Sequence, residues 1–321
     1  MKKMKFSFYI CIITLIFGAA WSAEAAPETV FVSILPQKFF MQQICKDELT
    51  LEVMVAPGAN PHTYEPKPSQ MKKLAASRAY FAIGMPFEAT WLEKFIAVNP
   101  KLKIVDTAAS IEKIAMEEHD DDKDGHGAAA AADKKAGHAS AKNEAHMKPA
   151  HDHDHDHDHD GLDPHIWLSP LLVKHQAMKM EEALSQLFPE KAAFFKENLA
   201  KFIRDIDGLD ADLRSLLRGK EGLKFMVFHP SWGYFARDYG LVQVAVEIEG
   251  KEPKPNQLGK LIQQAKAEDI HVIFAQPQFS TKSAKLLAAE IAGEVVFIDP
   301  LAEDWLANMR QVAEKLRMTV K

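Results

Sequence analysis

The sequence predicts an α/β protein made of two parallel-sheet lobes joined by a long rigid helix, and three observations predict it. Short apolar runs alternate with amphipathic segments on both sides of the middle of the chain, the pattern of parallel strands covered by helices. Between these halves, Glu190 to Arg218 places Phe195, Leu199, Phe202, Ile206, Leu209, Leu213 and Leu216 at alternating steps of four and three, one apolar stripe on a single helix. The second half then repeats the strand and helix order of the first.

Taken in order, Val30 to Leu35 is an apolar run expected as a buried strand, Gln37 to Cys45 a short helix, and Leu49 to Val55 a second strand with alternating apolar positions. The stretch APGANPHTYEPKPSQ holds Gly58 and four prolines, so it is expected as an ordered loop, with His62 fixed behind Pro61. Ser69 to Ser77 reads as helix, Ala79 to Ile83 as strand, Glu88 to Ile96 as helix and Ile104 to Asp106 as strand, which completes one lobe. Ser169 and Pro170 read as an N-cap and a first-turn proline opening a helix to Leu187, stopped at Pro189. At 1.5 Å per residue the helix from Glu190 to Arg218 spans on the order of 40 Å, enough to bridge two lobes. Gly208 lowers its stability by about 1 kcal/mol relative to alanine, a bend and not a break. A coiled-coil dimer is the competing reading of its stripe.

The second lobe is expected as strand Lys224 to Phe228, helix Trp232 to Tyr239, strand Val242 to Val246, loop EIEGKEPKPN and helix Gln257 to Ala267. Strand Val272 to Ala275, helix Thr281 to Ala292, strand Val295 to Ile298 and helix Asp304 to Arg317 follow. The chain therefore divides into 1–25, a signal peptide; 26–189, an N-terminal lobe interrupted by an insertion at 117–161; 190–218, the linking helix; and 219–321, a C-terminal lobe.

Composition narrows the class. With 321 residues, 47% hydrophobic and 26% charged, the chain is long enough for two globular domains and is not a disordered protein. Lys2, Lys3 and Lys5 precede the apolar run Phe6 to Ala20, and Ala23-Glu24-Ala25 fits signal-peptidase cleavage before Ala26. Cys11 lies inside that run without small residues ahead of it, so a lipid anchor is not expected, and no second stretch reaches the roughly 20 apolar residues of a membrane span. An exported, soluble protein is expected. Only Cys45 survives cleavage, which excludes an internal disulfide and a cysteine-rich zinc site.

Residues 117 to 162 hold thirteen Asp and Glu against five Lys, a net of −8 where the whole chain carries −6. The remainder is near neutral, which argues against a nucleic-acid partner. Nine of the fourteen histidines lie in this insertion, five of them (His151, His153, His155, His157 and His159) alternating with aspartates up to Asp160. Such a segment has no apolar residue with which to build a core and is expected to be solvated. Calcium gains nothing from imidazole, whereas zinc and copper do, so weak multivalent transition-metal binding is the expected chemistry.

Four residues outside the insertion point to a stronger site. His62, His229 and Asp299 each fall just beyond the end of an expected strand, the sheet edge where ligands bind in open parallel sheets. His165, between Pro164 and Trp167, closes the first lobe, so a metal site is expected in the cleft between the lobes. Each of the four adjoins a proline (Pro61, Pro164, Pro230 and Pro300), which restrains its backbone. Separations of 103, 64 and 70 residues exclude a local finger motif, so the fold must assemble the site. His175 and His271 read as solvated residues, and Asp299 has a competing reading as a turn or capping aspartate. Three imidazoles suit zinc, copper or nickel better than manganese; Zn2+ is expected, in a roughly tetrahedral shell closed by Asp299 or a water.

The motifs NPHTYEPKPSQ, DPHIWLSP, FHPSWGYFARDYGL, EIEGKEPKPNQL, FAQPQFS and IDPLAEDW, in this order, resemble the metal-binding solute-binding proteins of ABC transporters, and the histidine-rich loop resembles the zinc-uptake branch. The resemblance covers the whole mature chain. It implies a periplasmic protein that captures Zn2+ with high affinity and delivers it to a membrane permease served by a cytoplasmic ATPase. It also implies His62, His165 and His229 as ligands, with Asp299 at the position of the family's C-terminal carboxylate. Manganese-binding relatives tend to have a carboxylate where this chain has His229. The family often has glutamate where this chain has Gln276, and some relatives carry a disulfide that this chain cannot form. A monomer is expected, with a periplasmic zinc chaperone as a further candidate partner and the insertion as an accessory zinc collector or sensor.

Two readings compete. A periplasmic zinc buffer or metallochaperone would act through the histidine-rich loop alone. An exported zinc hydrolase would need a general base; no HExxH helix is present, and Glu65 near His62 is the one candidate base.

Overall fold

The computed structural model describes residues 27–116, 161–248 and 251–319. The expected signal peptide and the alternating histidines His151, His153, His155, His157 and His159 lie outside them.

Two four-stranded parallel sheets form the framework. In the first, β1 (Thr29–Val32), β2 (Thr50–Val53), β3 (Ala79–Ala82) and β4 (Lys103–Asp106) lie in the order β2-β1-β3-β4; in the second, β5 (Lys224–Val227), β6 (Val242–Ala245), β7 (Val272–Ala275) and β8 (Glu294–Phe297) lie in the order β6-β5-β7-β8. The two sheets share one topology. Their central strands are apolar on both faces because helices cover both: AYFA of β3 and VIFA of β7 are buried throughout. Within each sheet the strand order reverses between the first and third strands, and the crevice at that reversal opens at the strand C-termini.

The helices are α1 (Leu35–Cys45), α2 (Pro68–Leu74), α3 (Pro86–Val98), α4 (Pro170–Leu187), α5 (Ala192–Leu216), α6 (Gly233–Tyr239), α7 (Pro255–Ala267), α8 (Lys282–Glu290) and α9 (Trp305–Thr319). Proline stands in the first turn of α1, α2, α3, α4 and α7, where its missing N–H costs nothing and its φ suits the helix. The two lobes use the same words at the same place: EPKPSQ opens α2 and EPKPNQ opens α7. In each, a glutamine three residues on (Gln70, Gln257) accepts the backbone N–H of the preceding lysine (Lys67, Lys254) at 2.9 Å.

The linking helix is continuous over 25 residues, preceded by a 3-10 turn at Pro189–Lys191, and Gly208 does not break it. Its stripe is used inside the molecule. Phe195, Phe202, Ile206, Leu209 and Leu213 are buried and Leu199 and Leu216 pack against the same core, where α5 meets α1, α4 and α9. A coiled-coil seam would need that stripe free. Phe40 of α1 touches Phe202 at 5.9 Å and Trp305 of α9 at 5.1 Å between ring centroids, so one core runs from the first lobe through the helix into the second.

Two substitutions in α5 check this account. The space around Gly208 is open, so Gly208→Ala is expected to raise stability by up to about 1 kcal/mol, seen as a higher urea midpoint. Phe202→Ala is expected to lower it by about 3–5 kcal/mol through the cavity it leaves, in the same titration.

Candidate metal centre

Three histidines arrive at one point from different elements. His62 lies in the loop after β2, its backbone N–H held by the side chain of Asn60 at 2.8 Å. His165 leads into a 3-10 turn at Ile166–Leu168, and that turn is fastened to the second lobe: Trp167 Nε1 donates to the Pro300 carbonyl at 2.7 Å and Trp305 Nε1 to the Trp167 carbonyl at 2.8 Å. His229 follows β5 at the strand-order reversal. There Gln276, at the end of β7, grips its peptide from both sides, accepting its N–H at 3.2 Å and donating to its carbonyl at 2.6 Å.

Nε2 of His165 stands 3.3 Å from Nε2 of His62 and 3.2 Å from Nε2 of His229. All three ligand atoms lie within 4.8 Å of one another. Donors at about 2.0–2.1 Å on a tetrahedral ion stand about 3.3–3.4 Å apart, so this spacing is that of a metal shell. The cavity among them has a volume of about 10 Å3 and is lined also by Pro61, Trp167, Gln278, Phe279, Pro300 and Leu301. That is room for one water-sized particle and not for an organic substrate.

Buried carboxylates set the tautomers. Asp163, 1% exposed, accepts from both the backbone N–H and Nδ1 of His165 through one oxygen, at 2.8 and 2.7 Å. Glu247, beyond β6, accepts from Nδ1 of His229 at 2.6 Å. With Nδ1 protonated in each ring, Nε2 presents a lone pair to the cavity. Phe279 stacks on His229 with centroids 4.4 Å apart. Burial, then the neighbouring imidazoles, hold His62 well below the usual imidazole range; burial, then His229 and Lys113, do the same for His165. Both are therefore neutral near pH 7, the form that binds a cation. Burial pushes the carboxyl of Asp163 up to about 7.

The sequence-predicted residues divide on this geometry. His62, His165 and His229 are brought together. Asp299 is not in the cluster: its Oδ1 accepts from Gln278 Nε2 at 2.7 Å and from the Leu301 N–H at 2.9 Å. His175 is exposed, and exposed His271 pairs with Asp269. Glu65 is exposed and does not line the cavity.

Comparison with known proteins agrees with the motif order. The family model described as ZnuA, "Zinc-uptake complex component A periplasmic", matches residues 30–319. The chain belongs to this family. A crystal structure of ZnuA superimposes with a TM-score of 0.77 at 37% identity, covering 92% of this chain and 99% of that one. A ZnuA deletion mutant with zinc bound gives 0.76, also at 37% identity. The zinc-binding protein AdcA of Streptococcus pyogenes is 27% identical over 99% of this chain, which spans 62% of the length of that relative.

The orienting groups Asp163, Glu247 and Phe279 escaped the sequence reading, and Gln276 entered it only as standing where the family often has glutamate. Asp163 stands two residues before His165 in DPH, which is the one local signal among them; Glu247 and Gln276 reach His229 only through the sheet.

Two outcomes follow. Asp163→Asn and Glu247→Gln are each expected to weaken zinc binding about 10–100-fold by loosening ring orientation, measured by chelator competition. In the metal-free protein His62 and His165 have folded pKa values below that of the unfolded chain, so the unfolded state takes up their protons first as pH falls. Stability should therefore drop below about pH 6.5. Asp163 works in the opposite sense, its contribution being lost as pH rises through about 7. The drop assigned to the imidazoles should flatten in His62→Gln/His165→Gln, compared by urea unfolding at pH 5 to 7.

Proposed function

We propose that this chain is an exported, periplasmic solute-binding protein that captures Zn2+ at His62, His165 and His229 and delivers it to an ABC permease with a cytoplasmic ATPase. One observation carries the reading: three imidazoles whose Nε2 atoms stand 3.2 and 3.3 Å apart around a cavity of about 10 Å3. A cavity of that size receives an ion and leaves no space beside it for a scissile bond, which favours carriage over hydrolysis. The zinc named for the family and for the relatives supports the choice of cation.

In this reading the lobes 26–189 and 219–321 form the two walls of the site and the helix 190–218 limits their motion. Three imidazoles leave one position of a tetrahedral shell open to an oxygen ligand. The histidine-rich insertion, His151, His153, His155, His157 and His159 among it, acts as an accessory collector that raises the zinc concentration near the cleft, as tethered weak sites do.

Chelator-competition titration of the chain without residues 119–159 tests the assignment. One tight zinc site is expected there, and His62→Ala/His165→Ala/His229→Ala should abolish it, a loss of more than about 100-fold. Absence of a tight site once the insertion is gone would move the function to the insertion and favour a zinc buffer.

A further inference from the structure

Around the three imidazoles Trp167, Gln278, His165 and His229 have their side-chain donors engaged, and one acceptor is free. Trp167 Nε1 is given to the Pro300 carbonyl, and Gln278 Nε2 and the Leu301 N–H are both given to Asp299 Oδ1. The Nδ1 protons of His165 and His229 are given to Asp163 and Glu247. The rings of His165 and His229 thus turn lone pairs inward. One further lone-pair group sits on a lining residue: Gln278 Oε1 is buried and has no hydrogen-bond partner.

An amide oxygen left unpaired in the interior costs about 1–3 kcal/mol, and native proteins keep few of them. Its orientation is also fixed. Turning the amide over would set Oε1 against the Asp299 carboxylate, acceptor against acceptor. Gln278 and Leu301 line both the triad cavity and a neighbouring one of about 120 Å3 that holds Asp299, Val55, Gly58 and Glu303. Gln278 is thus the polar side chain between the carboxylate and the imidazoles.

Resting on the proposed zinc site, we infer that Gln278 Oε1 supplies the fourth, oxygen ligand of the cation, and that Asp299 acts through Gln278 by holding the amide in that orientation. The arrangement gives a shell of three nitrogens and one neutral oxygen, with the carboxylate one hydrogen bond removed. It also gives the unpaired amide oxygen a partner whenever metal is present.

A double-mutant cycle tests this on the chain with its insertion intact, in chelator-buffered metal low enough that only the tightest site fills. Zinc affinity and the visible absorption of the Co2+ form are read for Gln278→Met, Asp299→Ala and the two combined. Gln278→Met should weaken zinc about tenfold or more and change the Co2+ band. Asp299→Ala should weaken binding in the unaltered chain and have no further effect beside Gln278→Met. The exchange Gln278→Glu/Asp299→Asn keeps an oxygen toward the cavity and one amide-to-carboxylate bond, and should retain the affinity and the four-coordinate Co2+ band. The inference is overturned if Gln278→Met leaves affinity and spectrum unchanged, or if Asp299→Ala costs as much beside it as alone. An unaltered chain that binds no zinc overturns the proposed function, and the ligand assignment with it.

Discussion

Three imidazoles crowd their Nε2 atoms around a space of about 10 Å3, and His165 and His229 turn lone pairs into it. Two of the rings are held there by groups behind them, and His62 by its backbone. Asp163 and Glu247 fix two tautomers, Gln276 clamps the peptide of His229, and Phe279 stacks on its ring. Those carboxylates are themselves 1% and 5% exposed, and burying them is tolerable because each accepts a charge-assisted hydrogen bond. The structure thus holds an acceptor-rich cavity suited to a cation.

That cavity exists only while the lobes keep their relation, and the helix α5 enforces it. Its inward stripe is shared by α1, α4 and α9, so the lobes cannot separate without exposing one continuous apolar core. His165 shows the coupling at the level of one residue. Its supporting aspartate takes the backbone of Ile114 as acceptor and offers its carbonyl to Tyr234 of α6, and the following Trp167 is tied to Pro300 and Trp305. A ligand expected at the edge of the first lobe is in fact fastened to the second.

The fold was legible where a local pattern sufficed. Period-2 and continuous apolar runs marked the strands, Ser169 and Pro170 marked the start of α4, and the four-and-three stripe marked α5; the helices α1, α2, α3 and α7 open one to two residues before their expected starts, at their first-turn prolines. The ends differ by a few residues: the strand expected over Leu49 to Val55 is regular only from Thr50 to Val53, because the chain beyond it turns into the loop of His62. The proline-framed histidines were legible as candidate ligands for the same local reason, a restrained backbone at a strand end.

The sequence by itself determined two doubly covered parallel sheets, an amphipathic helix between them, and histidines on stiff loops at strand ends, since periodicity and proline act over a few residues. Only the tertiary structure decided that His62, His165 and His229 converge while Asp299 turns to Gln278, and that Asp163 and Glu247 stand behind the rings. Distances of 3.2 and 3.3 Å between residues 64 and 103 positions apart depend on how two lobes dock. Docking is set by the sum of a large shared core, which no short stretch of sequence displays.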